Sequence, residues 1–440
     1  MTTTYDPFHP QYFVEADLRE EMNRVYDLCH GCRLCFKFCS AFPTLFDAVD
    51  RHDDQDASKL TTAEQDQVVD ECFNCKLCYV NCPYVPGQHE WELDFPRLML
   101  RAEQVLRRTR PPGLGDRVTD EVLSRTDLFG QVNTTLAPLV NPVIERPGSL
   151  GRQVMEKLVG IASERVLPPY ARQRFSTWWR AHRGERPVEA RQGSAIVFPT
   201  CIVEYQAPEV GRDLVRVYER NGIACDVPDG QVCCGAPWLH RGDVDNFRRQ
   251  GEKNVKVLAD AVRAAEARGE EPAVVVPQPT CSYVLKYDYP AYLSGEDADL
   301  VAGHTYDAAE FLMRVHKAEG TELDRDFPGE VPAQVTYHAP CHLRAQNVGL
   351  KSRDLIKLTG AKVTVVAECS GIDGTWGYRS ANYEASRKVA RKMAKAIDRA
   401  GGDAVAGDCH LANGGIVQET GRTPLHPLSL VARAYGLADD

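Results

Sequence analysis

The sequence predicts an α+β multidomain protein, in which an α-helical N-terminal domain precedes two pseudo-symmetric α/β cysteine-rich lobes. Two runs of cysteine with the same spacing lie near the N-terminus, between segments with helical periodicity. From residue 193 onward, short β-branched runs alternate with helical segments, which is typical of open, largely parallel sheets. The cysteines of that later region occur twice in a similar order, which indicates an internal repeat.

Four regions follow from these patterns. We expect a helical domain over residues 1–100, a basic helical linker over 101–192, lobe 1 over 193–328 and lobe 2 over 329–440. A chain of 440 residues is long enough to bury several separate cores. The net charge of −10 argues against nucleic acid as a partner, because binding to phosphates requires a basic surface.

The two cysteine runs are the most specific feature of the N-terminal region. They consist of Cys29, Cys32, Cys35 and Cys39, and of Cys72, Cys75, Cys78 and Cys82 with Pro83 directly after it. This spacing is the thiolate pattern of proteins that hold two [4Fe–4S] clusters. Structural zinc sites mostly use pairs of cysteines instead. Because helical segments flank both runs, the sequence predicts an α-helical ferredoxin domain with two [4Fe–4S] clusters.

The ligands of the two clusters are expected to cross between the runs. In two-cluster ferredoxins the fourth cysteine of each run ligates the other cluster. One cluster is therefore expected on the first three cysteines of the first run and the last of the second, Cys29, Cys32, Cys35 and Cys82. The other is expected on the remaining four cysteines, Cys72, Cys75, Cys78 and Cys39.

The sequence has no pattern that is typical of a signal peptide or of a membrane-spanning helix. The opening residues MTTTYDPFHPQYF lack the charged and apolar segments of a signal peptide. No run of 18 apolar residues predicts a membrane-spanning helix. We expect a reducing, cytoplasmic location in which the sixteen cysteines stay free for iron, with the protein either dissolved there or peripheral on the inner face of the cell membrane.

Residues 101–190 differ from the rest in charge, with fifteen Arg and Lys against ten Asp and Glu. Apolar residues recur there near helical spacing, namely Leu128, Val132, Leu136, Leu139 and Val143, followed by Leu150, Val154, Leu158 and Ile161. Arg152, Lys157 and Arg165 accompany the second group, and Trp178 and Trp179 follow in a basic stretch. Two interpretations are open. The segment forms a surface for a membrane or a partner, or its helices cover the cluster domain with the tryptophans packed inward.

Cysteines also follow the predicted strands of both lobes. They are Cys201, Cys281, Cys341, Cys369 and Cys409, and the pair Cys233-Cys234 with Gly235 adds two more. Open α/β sheets place their ligand sites beyond the carboxyl ends of the strands. The separations from Cys201 to Cys341, Cys233 to Cys369 and Cys281 to Cys409 are 140, 136 and 128 residues. We therefore expect two similar sites that face each other across a pseudo-twofold axis.

These motifs resemble those of a known family. The resemblance is carried by Cys233-Cys-Gly-Ala-Pro237, Pro279-Thr-Cys281, Tyr337-His-Ala-Pro-Cys-His342 and Gly371-Ile-Asp-Gly-Thr-Trp-Gly377. The chain is similar to the heterodisulfide-reductase-related iron–sulfur proteins with CCG cysteine-rich domains, and within them to the C subunits of anaerobic glycerol-3-phosphate dehydrogenases. The resemblance implies a further iron–sulfur centre in lobe 1. It also implies a separate flavoprotein dehydrogenase as electron donor, quinone or another acceptor, and docking to the membrane.

Lobe 2 departs from the family pattern at two positions. Ser370 stands where the second cysteine of a pair is expected, and Ala412 where the last cysteine is expected. Gln278 likewise leaves lobe 1 without a full Cys-x-x-Cys. Lobe 1 keeps four thiols, Cys201, Cys233, Cys234 and Cys281, whereas lobe 2 keeps three, Cys341, Cys369 and Cys409. Either lobe 2 holds a centre completed by His342, His410, solvent or a substrate atom, or its cysteines are only buried small residues.

The remaining features limit the function. No phosphate-binding loop and no Gly-x-Gly-x-x-Gly fingerprint occurs, so the chain is expected to carry electrons without its own organic-substrate site. Cys225, His240 and His304 are expected to be structural. Three functions stay open: an electron-transfer subunit of an oxidoreductase, a catalytic thiol/disulfide oxidoreductase like heterodisulfide reductase, and an electron adaptor for a rubrerythrin-like protein.

Overall fold

Helices build the N-terminal part of the chain. In the computed structural model, which describes residues 5–184 and 190–437, this part belongs to a unit formed by Met1–Leu114 and Pro237–Phe247. Its α-helices are α1 (Glu15–Cys32), α2 (Ala41–Asp50), α3 (Thr62–Asp70), α4 (Leu77–Asn81) and α5 (Phe95–Thr109). No strand lies among described residues 5–114. The predicted α-helical character of residues 1–100 is therefore confirmed for the part that is described.

Local sequence explains where two of these helices begin. Thr61 and Glu64 form a reciprocal capping box at the start of α3. Asp94 accepts a hydrogen bond from the backbone N–H of Arg97 at 2.9 Å, and Pro96 occupies the first turn of α5. The helices share one apolar core that includes Leu18, Met22, Val25, Phe42, Leu45, Val68, Leu98 and Met99. This core surrounds the segments that carry the two cysteine runs.

The second unit consists of Gly115–Ala236 and Arg248–Asp440. The helices of the predicted linker are α6 (Leu114–Ser124), α7 (Thr126–Thr135), α8 (Ala137–Ile144), α9 (Leu150–Val159) and α10 (Phe175–His182). Residues 185–189, also part of the predicted linker, lie outside the described residues. Within the segment, the fully buried guanidinium of Arg152 donates to the carbonyl oxygens of Ile144, Ala162 and Arg165 at 2.8–2.9 Å.

This segment packs on lobe 2. The Arg165 guanidinium donates to Ser386 Oγ at 2.8 Å, and the Val166 N–H donates to Gln418 Oε1 at 2.8 Å. The Ala162 N–H donates to the carbonyl oxygen of Tyr378 at 2.9 Å. Because Arg152 and Arg165 are both fully buried, these two cations serve the interior of the segment and are not part of a basic surface.

The two tryptophans of the segment pack inward, as the second interpretation expects. Trp179 is 5% exposed and belongs to the core of lobe 1. Trp178 is partly buried against the same core, and its ring stacks on His182 with centroids 4.4 Å apart. The tryptophans are therefore unavailable as membrane-interface anchors.

Lobe 1 contains a four-stranded parallel sheet. Its strands are β1 (Ser194–Val197), β2 (Ala224–Asp226), β3 (Pro272–Val276) and β4 (Thr305–Asp307), in the order β2-β1-β3-β4. The helices along this stretch are α11 (Thr200–Tyr205), α12 (Pro208–Arg220), α13 (Ala236–Leu239), α14 (Val244–Glu266), α15 (Pro279–Tyr283), α16 (Tyr289–Tyr292), α17 (Glu296–His304) and α18 (Ala308–Lys317). A π-helical turn, Val284–Asp288, joins α15 to α16. The β-branched runs from which the sequence predicts strands are 195–198, 273–276, 335–337, 363–366 and 404–406. The three-residue strands β2 and β4 are not among them.

Lobe 2 contains a three-stranded parallel sheet. Its strands are β5 (Gln334–His338), β6 (Lys362–Val366) and β7 (Ala404–Gly407), in the order β6-β5-β7. Its helices are α19 (Cys341–Ala345), α20 (Lys351–Leu358), α21 (Tyr383–Ala400), α22 (His410–Thr420) and α23 (Pro427–Ala434). Every strand pair in both sheets is parallel, so the predicted parallel sheets are confirmed.

The topology of lobe 1 recurs in lobe 2. The first strand of each lobe, β1 or β5, lies between the second and the third. Leu425 makes a parallel bridge to Ala406 of β7, in the place that β4 occupies beside β3. A helix follows in both lobes, capped by the side chain of Asp307 in α18 and of His426 in α23. The repeat of the cysteines is thus accompanied by a repeat of the strand order.

Candidate metal centres

Four cysteines from the two N-terminal runs surround one small cavity. Cys29, Cys32, Cys35 and Cys82 line a space of about 30 Å³ together with apolar side chains such as Phe42 and Phe46. These are the four cysteines that the crossing rule assigns to one cluster. The structure therefore places Cys82 with the first run.

A left-handed residue shapes each run. Helix α1 ends at Cys32, and Arg33 has φ 51°, so that its N–H returns to the carbonyl oxygen of Cys29 at 2.9 Å. Lys76 has φ 62° at the same place in the second run, directly after Cys75. This turn reverses the chain after the second cysteine, so that the third can face the same point as the first two.

The other four cysteines also lie together. Burial raises the pKa of the Cys39 thiol well above its usual value, and the nearby Cys72 and Cys75 raise it further. Burial likewise raises the pKa of Cys78, with additional contributions from Cys75, Cys72 and Cys39. The Cys39 thiol of the first run therefore lies near the cysteines of the second run.

Burial of so many thiols is consistent with metal ligation. Burial raises the pKa of Cys35 to about 12, which disfavours the thiolate form. A coordinated metal removes this cost, because a ligating thiol is deprotonated outright. Among the described residues, no three His, Cys, Asp or Glu side chains are arranged to hold a single metal ion. A cubane differs from such a site, since its four thiolates bind four different irons.

The four thiols of lobe 1 form a continuous chain of contacts. Cys201 and Cys234 both hydrogen bond to the Cys233 thiol, and these bonds lower its pKa well below the usual value. Cys281 hydrogen bonds to Cys234, and the contacts with Cys233, followed by burial, raise the pKa of Cys201 and Cys234. All four predicted lobe 1 residues therefore meet at one place.

Residues outside any motif hold the Cys233-Cys234 loop. The buried Asn254 side chain of α14 accepts from the Val232 N–H at 2.8 Å and donates to the carbonyl oxygens of Val232 and Cys233. Tyr289 OH donates to the Cys234 carbonyl at 3.0 Å. Asp127 Oδ2 accepts from the Cys233 N–H at 2.8 Å, and burial raises the pKa of this carboxyl to about 7. No sequence pattern singled out Asn254, Tyr289 or Asp127.

A cavity reaches the Cys201 side of this group. Its volume is about 170 Å³, and its lining includes Cys201, Arg174, Trp179 and Gln231. Thr200, also in the lining, has φ +70°, a conformation that is strained for a β-branched residue. The four thiols of lobe 1 therefore lie beside a cavity, which reaches one of them, Cys201.

The three thiols of lobe 2 have different surroundings. Cys341 is the first residue of α19, and Cys369 Sγ accepts a hydrogen bond from the Gly371 N–H at 3.3 Å. Burial raises the pKa of Cys409 to about 11, and Cys281 of lobe 1 contributes to that shift. Cys409 therefore lies near Cys281, one of the lobe 1 thiols.

The histidines considered as ligands are also placed by the structure. His342 Nδ1 lies 3.0 Å from Thr280 Oγ1, so this imidazole is directed toward lobe 1. Burial lowers the pKa of His410 to about 4, which keeps it neutral. His304 Nε2 lies 3.5 Å from Glu266 Oε1, and Cys225 packs beside the lobe 1 core, in keeping with structural roles. His240 is buried.

Known proteins are similar to this chain in both lobes. The profile of the CCG cysteine-rich domain matches residues 195–286 and 335–411, one match in each lobe. The C subunit of the anaerobic glycerol-3-phosphate dehydrogenase of Escherichia coli (strain K12) is 30% identical over 315 residues, which are 71% of this chain and 76% of the relative. The chain belongs to the CCG family of iron–sulfur proteins.

Two further relatives match shorter parts of the chain. The B subunit of the fumarate reductase (CoM/CoB) of Methanothermobacter marburgensis is 33% identical over 223 residues, 49% of this chain and 40% of the relative. Lactate utilization protein A of Shouchella clausii is 26% identical over 240 residues, 52% of this chain and 92% of the relative. The relatives named as subunits belong to a dehydrogenase and a reductase, which places this chain among iron–sulfur proteins of oxidoreductases.

Proposed function

We propose that this chain is the iron–sulfur electron-transfer subunit of an oxidoreductase. The observation that carries the proposal is that Cys29, Cys32, Cys35 and Cys82, drawn from both runs, line one cavity, while a further group of thiols lies in lobe 1. Iron–sulfur clusters bound there would supply one-electron redox chemistry. The chain's own residues supply thiolates, burial and hydrogen bonds, which set the potentials of such groups.

The proposed donor is a separate flavoprotein dehydrogenase, and the proposed acceptor is quinone or another carrier. Support for a partner comes from the relative named as the C subunit of a dehydrogenase. By the same likeness, the partner would oxidise glycerol 3-phosphate. The proposed cofactors are two [4Fe–4S] clusters on the N-terminal cysteines and a further iron–sulfur centre in lobe 1.

We also propose that helices α7 to α9 attach the protein to a membrane, on its cytoplasmic face. None of the helices among the described residues is long and apolar enough to cross one. Exposed apolar side chains recur every four residues on α9, where Leu150, Val154 and Leu158 are 80%, 55% and 69% exposed. Other exposed apolar residues on α7, α8 and the junction between them are Leu128, Val132, Leu136, Leu139 and Val143.

The exposed side chains of α8 and α9 form one surface. A Cβ atom added at Gly151 of α9 would lie only 2.8 Å from Val143 of α8, so the two helices approach closely there. Arg146 and Lys157 are exposed cations of the same surface and form no ion pair in the described structure. A large apolar surface with cations is suited to an anionic lipid interface. Apolar insertion should dominate, because Arg152 and Arg165 are buried.

A triple variant tests this surface. Replacing Leu139, Leu150 and Leu158 with serine should reduce partitioning into anionic vesicles about 100-fold, since each buried leucine contributes roughly 1 kcal/mol or more. Flotation of the full chain with vesicles of phosphatidylglycerol and phosphatidylethanolamine measures the effect. Raising the salt concentration should weaken binding only modestly.

The matched control replaces Phe8 and Val14, two exposed apolar residues outside this surface, with serine. The control should float like the wild type. If the wild type stays in solution even at low salt, the membrane proposal is wrong and the surface is left for a partner protein.

The cavity beside Cys201 favours a second candidate, a thiol/disulfide oxidoreductase. An accessible thiol group next to a strained residue is the kind of site at which a small substrate could react. Reduction of a disulfide consumes two electrons and two protons and releases two thiols.

An anaerobic assay separates the two functions. The purified full chain is mixed with a large excess of reduced viologen as electron donor and with a small organic disulfide. The electron-transfer function predicts reversible reduction of the protein and no more thiol release than viologen alone produces. Sustained, protein-dependent release of two thiols per two electrons would instead establish the catalytic function.

A further inference from the structure

The segment that carries Cys281 is held from the other lobe. The segment consists of the six residues 277–282, which directly follow β3. Cys281 is the fifth of them. Side chains or backbone groups of four lobe 2 residues hydrogen bond to it, namely His342, Gln346, His410 and His426. Most of the groups involved are buried, so these bonds are made out of contact with bulk water.

Gln346 makes two of these contacts. Its Nε2 donates to the carbonyl oxygen of Pro279 at 3.3 Å and to Ser282 Oγ at 2.8 Å. The two acceptors flank Cys281 on either side in the sequence. The amide of Gln346 therefore limits how far the backbone at Cys281 can turn.

The remaining contacts fix the approach to the cysteine. His426 Nε2 lies 2.9 Å from the Pro277 carbonyl oxygen, and the His410 N–H donates to Gln278 Oε1 at 3.0 Å. Thr280 Oγ1, one residue before Cys281, lies 3.0 Å from His342 Nδ1. Gln278, which leaves lobe 1 without a full Cys-x-x-Cys, thus makes a bond to lobe 2.

We propose that lobe 2 positions the Cys281 thiol of lobe 1, with Thr280, Gln346 and His426 as positioning residues. This inference rests on the proposed iron–sulfur centre in lobe 1. Lobe 2 retains only three thiols of its own. It also contributes hydrogen bonds to the lobe 1 segment that carries Cys281. Hydrogen bonds around a ligand orient it and tune a metal site, and their loss typically weakens metal binding 10- to 100-fold.

An isosteric pair of variants at Thr280 provides the test. Thr280→Val removes the hydroxyl and keeps the shape, whereas Thr280→Ser keeps the hydroxyl. In anaerobically purified full chain, Thr280→Val should lose lobe 1 iron to a chelator about 10-fold faster than the wild type. It should also alter the EPR signal of that centre, and Thr280→Ser should restore both properties. The signal that disappears in Cys234→Ser identifies the lobe 1 centre.

A second variant tests the same segment from lobe 2. Gln346→Met keeps the length of the side chain and removes both donated bonds, so it should have the same effect as Thr280→Val. Thr364→Val and Gln334→Met are matched controls at exposed positions of the lobe 2 sheet, and both should behave like the wild type. Unchanged thermal unfolding and unchanged N-terminal cluster signals show that the variants are folded.

The outcomes separate this inference from the proposed function. If Cys234→Ser removes neither iron nor an EPR signal, lobe 1 holds no centre and the positioning role fails with it, while the N-terminal clusters still support the electron-transfer function. If the centre is present but Thr280→Val and Gln346→Met leave its iron release and EPR signal unchanged, the positioning role is wrong and the electron-transfer function stands.

Discussion

Replacing Cys82 with serine should remove the iron held by Cys29, Cys32 and Cys35, although Cys82 belongs to the other run. The reason is geometric, because these four side chains line the same cavity. A serine hydroxyl is a poor substitute for a soft thiolate ligand of iron. Anaerobically purified Cys82→Ser should contain about four irons fewer than the wild type, as expected for the loss of one cubane.

The reciprocal variant is Cys39→Ser, which should affect the cluster assigned to Cys72, Cys75 and Cys78. EPR spectra of the reduced proteins, combined with iron and sulfide analysis, distinguish the two losses. Cys225→Ser is the control, since this thiol lies on β2 beside the lobe 1 core. If Cys39→Ser changed only the signal of the Cys29–Cys35 cluster, each run would hold its own cluster and the crossed assignment would be wrong.

Substitution of Cys233 or Cys234 should have the second large effect, namely loss of the lobe 1 iron together with electron transfer beyond the N-terminal domain. Both thiols are buried at the middle of the four-thiol chain, so no neighbouring thiol can replace either one without rearranging the loop. Their loop is fixed by Asn254, which would hold a serine variant in the same conformation. The N-terminal signals should remain intact.

The lobe 2 cysteines should be unequal among themselves. Cys341→Ser and Cys369→Ser should remove less iron than Cys234→Ser, because lobe 2 has only three thiols. Cys409→Ser should have an intermediate effect, since Cys409 lies near Cys281 of lobe 1. Iron analysis and reductive titration of the full chain measure these differences. Equal iron loss from Cys341→Ser and Cys234→Ser would show that the two lobes hold equivalent centres.

Much of the fold could be predicted from local patterns. The strands β1, β3, β5, β6 and β7 were expected from short β-branched runs. Cysteines were expected just beyond the carboxyl ends of these strands. The strands β2 and β4 have only three residues each, which is too short for a periodic signal. The repeated strand order adds to the duplicated cysteine spacing that the sequence already contained.

The membrane interpretation shows where local patterns are insufficient. Helical spacing correctly indicated apolar faces at Leu128–Val143 and Leu150–Leu158, but spacing does not tell whether a face is covered. In the structure these faces are exposed, whereas Trp178, Arg152 and Arg165 turn inward. The proposed membrane attachment therefore depends on the exposed leucines and not on charge or aromatic anchors.

The sequence by itself determined the candidate ligands: which cysteines are available, the two runs of four near the N-terminus, and the unequal thiol counts of the lobes. It could do so because ligand spacing is a local property of the chain. Only the tertiary structure decided which distant groups meet these ligands, such as Asn254 at the Cys233 loop and Gln346 beside Cys281. Those contacts join residues separated by 21 and 64 positions, and they exist only because packed helices and two parallel sheets bring those positions together.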